Sequence, residues 1–282
     1  MAIARVNGVN LYYELHGAGD PVALVHGSWA DTTSWGQVLE GLAESFQVLV
    51  YDRRGHSQSE RPETQGSWDE DGDDLVGLLE ALDLAPAHVV TNSAGGNIAL
   101  RLAIREPRVF RSLTCHEPPL MDLLEDDPES QAMLSQTSRS LESVGRSIAA
   151  GDHAGAARQF VEEVAFGPGT WDTQFPPPVK EMFIRNAPTF LDEIKDPNEY
   201  SIDKGALGGL AMPVRLTQGS ESPPIFPRII DQLESLIPQV TRETIEGAAH
   251  VPHLTTPGPY IEVTKRAVQL AGGSSPTTTP TL

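Results

Sequence analysis

Short apolar runs, each closed by a turn signal, recur along the chain. VALV at 22–25 stops at His26-Gly27, and VLVY at 48–51 stops at Asp52. HVVT at 88–91 stops at Asn92-Ser93, SLTC at 112–115 at His116-Glu117, and VRLT at 214–217 at Gln218-Gly219. Runs this short with no polar alternation predict parallel strands buried on both faces. Asn10 to His16 alternates and predicts an early antiparallel strand. Helical periodicity fills the gaps. Leu75, Leu78, Leu79 and Leu82 fall at i, i+3, i+4 and i+7. Ile98, Ala99, Leu102 and Ala103 make a similar face after Ser93, as do Ile229, Ile230, Leu233 and Leu236, and then Ile261 and Val268. Strand–helix alternation of this kind predicts an α/β fold, a mostly parallel sheet with helices on both faces.

One stretch breaks the alternation. From 118 to 212 there are helical patterns and no convincing strand. Ala154, Ala157, Phe160, Val161 and Val164 predict one amphipathic helix. Met182 with Phe183, and Phe190 with Leu191 and Ile194, predict two more, punctuated by Pro176-Pro177-Pro178. The expected organisation is a core from 1–117 and 213–272 interrupted by a helical cap at 118–212. A Ser/Thr/Pro-rich tail at 273–282 is expected to be disordered.

Twenty Lys and Arg face 39 Asp and Glu, a formal charge of −19. That excess argues against nucleic acid and anionic membranes as partners. Much of it lies between Glu60 and Asp83, where nine acids meet one Arg, on or before a predicted helix. Acids at a helix N-terminus are favoured by the helix dipole. One cysteine, Cys115, excludes an intrachain disulfide and a multi-Cys metal site. No secretory leader pattern and no membrane-length apolar stretch is seen, so a cytoplasmic protein acting on a small molecule is expected. Homodimerisation stays open.

The strongest chemical signal is Thr91-Asn92-Ser93-Ala94-Gly95-Gly96, between a predicted strand and a predicted helix. A sharp strand-to-helix turn lifts one side chain above the sheet, and small neighbours let strand and helix approach. The general pattern is G-x-S-x-G, with Thr91 here in place of the first glycine. An ordinary N-capping serine is the plainer alternative. The second signal is His26-Gly27-Ser28-Trp29, after an early strand. The backbone N–H groups of Ser28 and Ala94 are candidates for stabilising an oxyanion. His26 is expected to brace the loop. A serine hydroxyl needs a base. His250, in the loop Gly247-Ala248-Ala249-His250 before the last helix, is the candidate, and His253 is expected to be a packing or surface residue. No metal or cofactor is expected.

Taken together, these residues resemble the α/β-hydrolase superfamily from Val6 to Ala271. The resemblance rests on His26-Gly27, on Tyr51-Asp52-Arg53-Arg54-Gly55-His56-Ser57, on the turn at Ser93 and on Gly247-x-x-His250. It implies an eight-stranded sheet with a cap inserted after the sixth strand, and the order nucleophile, acid, histidine. The acid departs from the commoner pattern. The loop after the seventh strand reads Gly219-Ser220-Glu221-Ser222, with Ser222 where an Asp is usual. The loop after the sixth strand offers Cys115-His116-Glu117-Pro118, which looks like the arrangement of zearalenone-type lactonases. Glu117 is the leading acid, with Glu221 and Asp122 as alternatives. Haloalkane dehalogenases and epoxide hydrolases use Asp at the nucleophile turn, and this chain has Ser93.

The resemblance therefore implies a serine hydrolase of a small, largely apolar ester or lactone, with Ser93, His250 and Glu117 catalytic. Trp29 is expected to line the pocket or pack under the cap. Met133, Phe160, Trp171, Phe183 and Phe190 are the candidate lining residues of the cap. Two alternatives stand beside this reading: hydrolysis of a carbon–carbon bond in a diketone-like substrate, and a non-catalytic binding protein on the same fold.

Overall fold

The computed structural model describes residues 2–63, 66–198 and 200–272. The tail expected at 273–282 lies outside the described residues. Eight strands form one sheet: β1 (Ala2–Val6), β2 (Val9–His16), β3 (Pro21–Val25), β4 (Gln47–Tyr51), β5 (Ala87–Asn92), β6 (Phe110–His116), β7 (Val214–Gly219) and β8 (Val240–Ile245). Their order is β1-β2-β4-β3-β5-β6-β7-β8. β1 pairs antiparallel with β2, and β2 antiparallel with β4; the other pairs are parallel.

The non-alternating runs are explained by burial on both sides. Val22 and Leu24 of β3, with Val48 and Val50 of β4, pack against Trp35, α1 (Gly36–Ala43) and α11 (Pro257–Gly272). Ala23 and Val25, with Leu49 and Tyr51, face the opposite layer. There they meet α2 (Trp68–Ala81), α3 (Ala94–Arg105) and α9 (Ile225–Leu236). Both sets of side chains are apolar because neither face of these strands sees water. β1 was not expected. It pairs with β2, and its half-buried and exposed positions alternate without a matching apolar–polar alternation in sequence, because the exposed positions include Ile3. The acidic start of α2 is capped by the Ser67 side chain and carries Asp69, Glu70 and Asp71 in its first turn.

Between β6 and β7 the described residues hold helices and no strand: α4 (Gln131–Ala149), α5 (His153–Phe160), α6 (Thr170–Thr173), α7 (Pro177–Glu193) and α8 (Lys204–Leu207). α5 continues into a single π-helical turn at Val161–Ala165. The two helices expected around Met182 and Phe190 are one, because α7 runs through Pro188. Proline removes one backbone bond and disfavours a helix interior. Here Met182, Phe183, Ala187 and Phe190 share one buried apolar cluster, and that packing outweighs the local penalty. The last core helix is preceded by the short α10 (Pro252–Thr255).

Charges bolt α7 to the core. The Arg53 guanidinium is fully buried after β4 and donates to Asp71 of α2 (3.2 Å) and to Glu193 at the end of α7. Arg185 reaches Asp31 at 2.7 Å, and the Ser57 N–H donates to Asn186 at 2.9 Å. Two carboxylates thus share one buried guanidinium. Burial pushes the Asp71 carboxyl up to about 7, with Arg53 opposing the rise and Glu193 adding to it. A carboxyl that binds its proton more tightly folded than unfolded makes stability fall as pH rises from about 4 through about 7. Asp71→Asn should therefore gain thermal stability relative to the native chain between about pH 5 and about pH 8. A stability difference independent of pH, measured by thermal unfolding, would show that Asp71 titrates as an ordinary carboxyl.

Candidate active site

Ser93 sits between the end of β5 and the start of α3 with φ +53 and ψ −127, a strained conformation for a residue with a side chain. Its surroundings leave no room for larger neighbours. A Cβ on Gly95 would lie 2.4 Å from the Val25 carbonyl oxygen, and one on Gly96 2.8 Å from Pro118 Cβ. A Cβ on Gly27 would meet Ser93 Cβ at 2.9 Å. The turn is held from the next strand, because the Ser93 N–H donates to the His116 carbonyl at 2.9 Å. Thr91 fits the position usually given to glycine because its hydroxyl is buried and reaches the Thr114 carbonyl of β6.

Glu117 follows β6 and is also strained, at φ +48. Its carboxylate is fully buried. Oε1 accepts the Gly219 N–H at 2.7 Å, and Oε2 lies 2.8 Å from His250 Nδ1. Burial opposes ionisation of this carboxyl. The neighbouring imidazoles of His116 and His250, with the hydrogen bond to His250, outweigh it and hold Glu117 down at about 2. An ionised carboxylate has no proton to give, so His250 Nδ1 carries one and donates it. Nε2 is then the basic nitrogen of the neutral ring. The loop holding His250 is tied to the nucleophile turn by Asn92, whose Nδ2 donates to the His250 carbonyl at 2.8 Å. Sequence reasoning missed Asn92, since nothing in its neighbours signals a contact 158 residues away.

The other acids are placed elsewhere. Glu221 is exposed, with its backbone N–H donating to Ala248. Asp122 accepts from the Ile202 N–H within the insertion. Ser222 stands beside Glu117 without a carboxylate of its own.

His26, His116 and His253 are buried around the site. His26 Nδ1 lies 2.9 Å from the Gly27 carbonyl, and His26 Nε2 accepts the Arg53 N–H at 3.0 Å. Burial, then the charge of Arg53, push it down to about 3. Burial likewise lowers His116 to about 4. His253 is buried against Trp35, ring centroids 4.4 Å apart, and burial drives its pKa well down. Cys115 is a buried thiol that burial pushes up to about 12.

Ser93 and His250 line two small adjoining voids of about 40 and 20 Å³. Ser28 lines both. Ala94 opens α3, so its N–H is one of the donors that a helix leaves unpaired. Phe160 borders both voids, Phe190 the larger and Phe183 the smaller. Three expected lining residues do not border them. Trp29 is wholly buried one layer behind, its ring 4.9 Å from both Phe160 and Phe190. Trp171 packs inside the insertion against Phe183, because its helix turns that face inward. Met133 leans on the main core rather than on the site. Met121, Leu141 and Tyr200 border the larger void and also an open groove of about 810 Å³ between α4 and the segment after α7.

No described helix is long and apolar enough to cross a membrane. A family described as having the alpha/beta hydrolase fold matches residues 20–257. The chain is 36% identical over 136 residues to an uncharacterized hydrolase, YraK, of Bacillus subtilis (strain 168), covering 45% of this chain and 48% of that protein. It is 44% identical over 101 residues to 2-hydroxymuconate semialdehyde hydrolase of Pseudomonas sp. (strain CF600), covering 34% and 38%. The matched stretch thus spans less than half the length of these relatives. The structure of an enol-lactonase from Burkholderia xenovorans LB400 superposes with a TM-score of 0.79 at 16% identity, covering 95% of this chain and all (100%) of that one. The strand order agrees with the family match: the chain belongs to the α/β-hydrolase fold family.

Proposed function

We propose that this hydrolase cleaves an ester or lactone bond of a small, uncharged substrate through Ser93, His250 and Glu117. The observation that carries the reading is the buried 2.8 Å contact between Glu117 Oε2 and His250 Nδ1, behind an imidazole that borders the same void as Ser93. In this mechanism Ser93 Oγ attacks the substrate carbonyl as His250 Nε2 takes its proton. The Ser28 and Ala94 N–H groups stabilise the oxyanion. His250 returns the proton to the leaving alkoxide, which departs and leaves an ester on Ser93. Water, deprotonated by His250, then attacks the acyl carbon; the bond to Ser93 Oγ breaks, the acid leaves and the imidazolium returns the proton to Oγ. Glu117 stays ionised throughout and stabilises the imidazolium.

Charge around the void favours a neutral substrate. Among the described residues its lining holds no Lys or Arg, and His250 is the one ionisable side chain besides Tyr200. The adjoining groove places Asp122, Glu125, Glu142 and Asp196 against Lys195. An anionic group entering there would meet four carboxylates against one ammonium and net repulsion. The voids are far below the roughly 300 Å³ of an ordinary ligand pocket. A substrate therefore enters by displacing Met121, Leu141 or Tyr200, with its distal part in the groove. Carbon–carbon hydrolysis is the second reading, supported by the partial match to 2-hydroxymuconate semialdehyde hydrolase. A non-catalytic role is disfavoured by the polar assembly around Glu117 and His250, which a binding protein would not need.

A small fluorophosphonate should label Ser93 in the native chain and not in Ser93→Ala. Glu117→Gln should slow labelling by about three to four orders of magnitude. Glu221→Gln should leave it unchanged. Labelling that survives Glu117→Gln but fails in Glu221→Gln would reassign the acid. Paired aryl esters of equal size, with a neutral or a carboxylate-bearing acyl chain, test the charge argument. The neutral member should show at least a tenfold higher kcat/KM, about 1.4 kcal/mol. Equal values would remove the charge preference, and faster cleavage of a diketone than of either ester would favour the second reading.

A further inference from the structure

Phe226 lies one residue into α9, just after the β7 loop in which Ser222 stands where an acid is usual. Its ring stacks on the His250 imidazole, with centroids 4.1 Å apart and planes within 12°. Phe226 is buried and borders the same void as Ser93. On another side, Phe166 meets the imidazole edge-on at 5.6 Å. The titratable groups around the ring are Glu117 and His116 at the end of β6, His253 on α10, and Ser93 across the void. Among the described residues, Glu117 alone hydrogen-bonds a ring nitrogen of His250, at Nδ1. One hydrogen bond at one nitrogen leaves the imidazole free to rotate about that contact.

We propose that Phe226 is the positioning residue for His250, fixing the plane of the imidazole so that Nε2 stays aimed at Ser93 and offering its π face to the imidazolium formed during attack. The negative face of an aromatic ring attracts a cation stacked on it. It does less for a neutral imidazole, so the stacking favours the protonated state in which the reaction stabilises its charge. The start of α9 therefore serves the histidine by a different route. It supplies an aromatic plate, while the carboxylate comes from β6. This inference rests on the reading of Ser93 and His250 as nucleophile and base.

The test is the pH dependence of Ser93 labelling by a small fluorophosphonate, which needs no knowledge of the substrate. Phe226→Leu keeps an apolar side chain and removes the π face. It should lower the limiting labelling rate by about tenfold. Its rate-against-pH midpoint should move about half a unit toward lower pH, because the imidazolium has lost a partner. Phe226→Tyr, which restores the ring, should recover both. Near-UV circular dichroism reports folding, and Phe226→Met makes the same comparison if the leucine variant does not fold. A leucine or methionine variant with a native rate and a native midpoint would overturn the proposal. So would a rate loss that the tyrosine variant shares while folded. If the native chain itself is not labelled, the serine-hydrolase reading fails first.

Discussion

A carboxylate taken fully out of water must be met by polar groups, and the ones that meet Glu117 join three parts of the chain. Its oxygens reach Gly219 at the end of β7 and His250, which lies 133 residues further on. Its own backbone N–H donates to Thr217. The contacts hold the carboxyl at about 2 although burial alone would raise it. They also fix which nitrogen of His250 carries the proton. From that one constraint follow the basic Nε2, the need for a flat ring beneath it, and the proposed chemistry at Ser93. The strained backbone at both Ser93 and Glu117 fits the same picture, since side chains held in sparsely populated conformations persist where surrounding packing over-determines them.

A second buried polar assembly serves the architecture. Arg53, Asp71 and Glu193 hold the end of α7 against the core, and Arg185, Asp31, Asn186 and Ser57 continue the seam. The side of the insertion nearest Ser93 is bounded by Phe160 and Phe190, with Trp29 behind both. α7 is therefore tied by charge. The groove beside α4 meets the void through Met121, Leu141 and Tyr200, which are mainly apolar contacts and easier to part.

The central sheet was legible because burial on both faces imposes unbroken apolar runs, as at Val48, Leu49, Val50 and Tyr51. The Ser93 turn was legible because close packing dictates glycine at 95 and 96. Glu117 stood out only through the resemblance of its Cys-His-Glu-Pro setting. β1 escaped because its exposed face carries Ile3, so burial leaves no apolar–polar alternation in the sequence of this edge strand. α7 was divided at Pro188 because local propensity carries no information about the cluster that packs across it. Trp171 and Met133 were misplaced for a related reason: composition marks an apolar side chain without saying which cavity or core it faces. Phe226 and Asn92 act across long sequence separations and leave no local pattern.

The central claim is that His250 donates Nδ1–H to Glu117 and to no other acid. Proton NMR reads this directly, because an imidazole N–H shared with a buried carboxylate resonates far downfield and exchanges slowly. The account predicts such a resonance in the native chain and in Glu221→Gln, and its loss in Glu117→Gln. A resonance that persists in Glu117→Gln and vanishes in Glu221→Gln would contradict it.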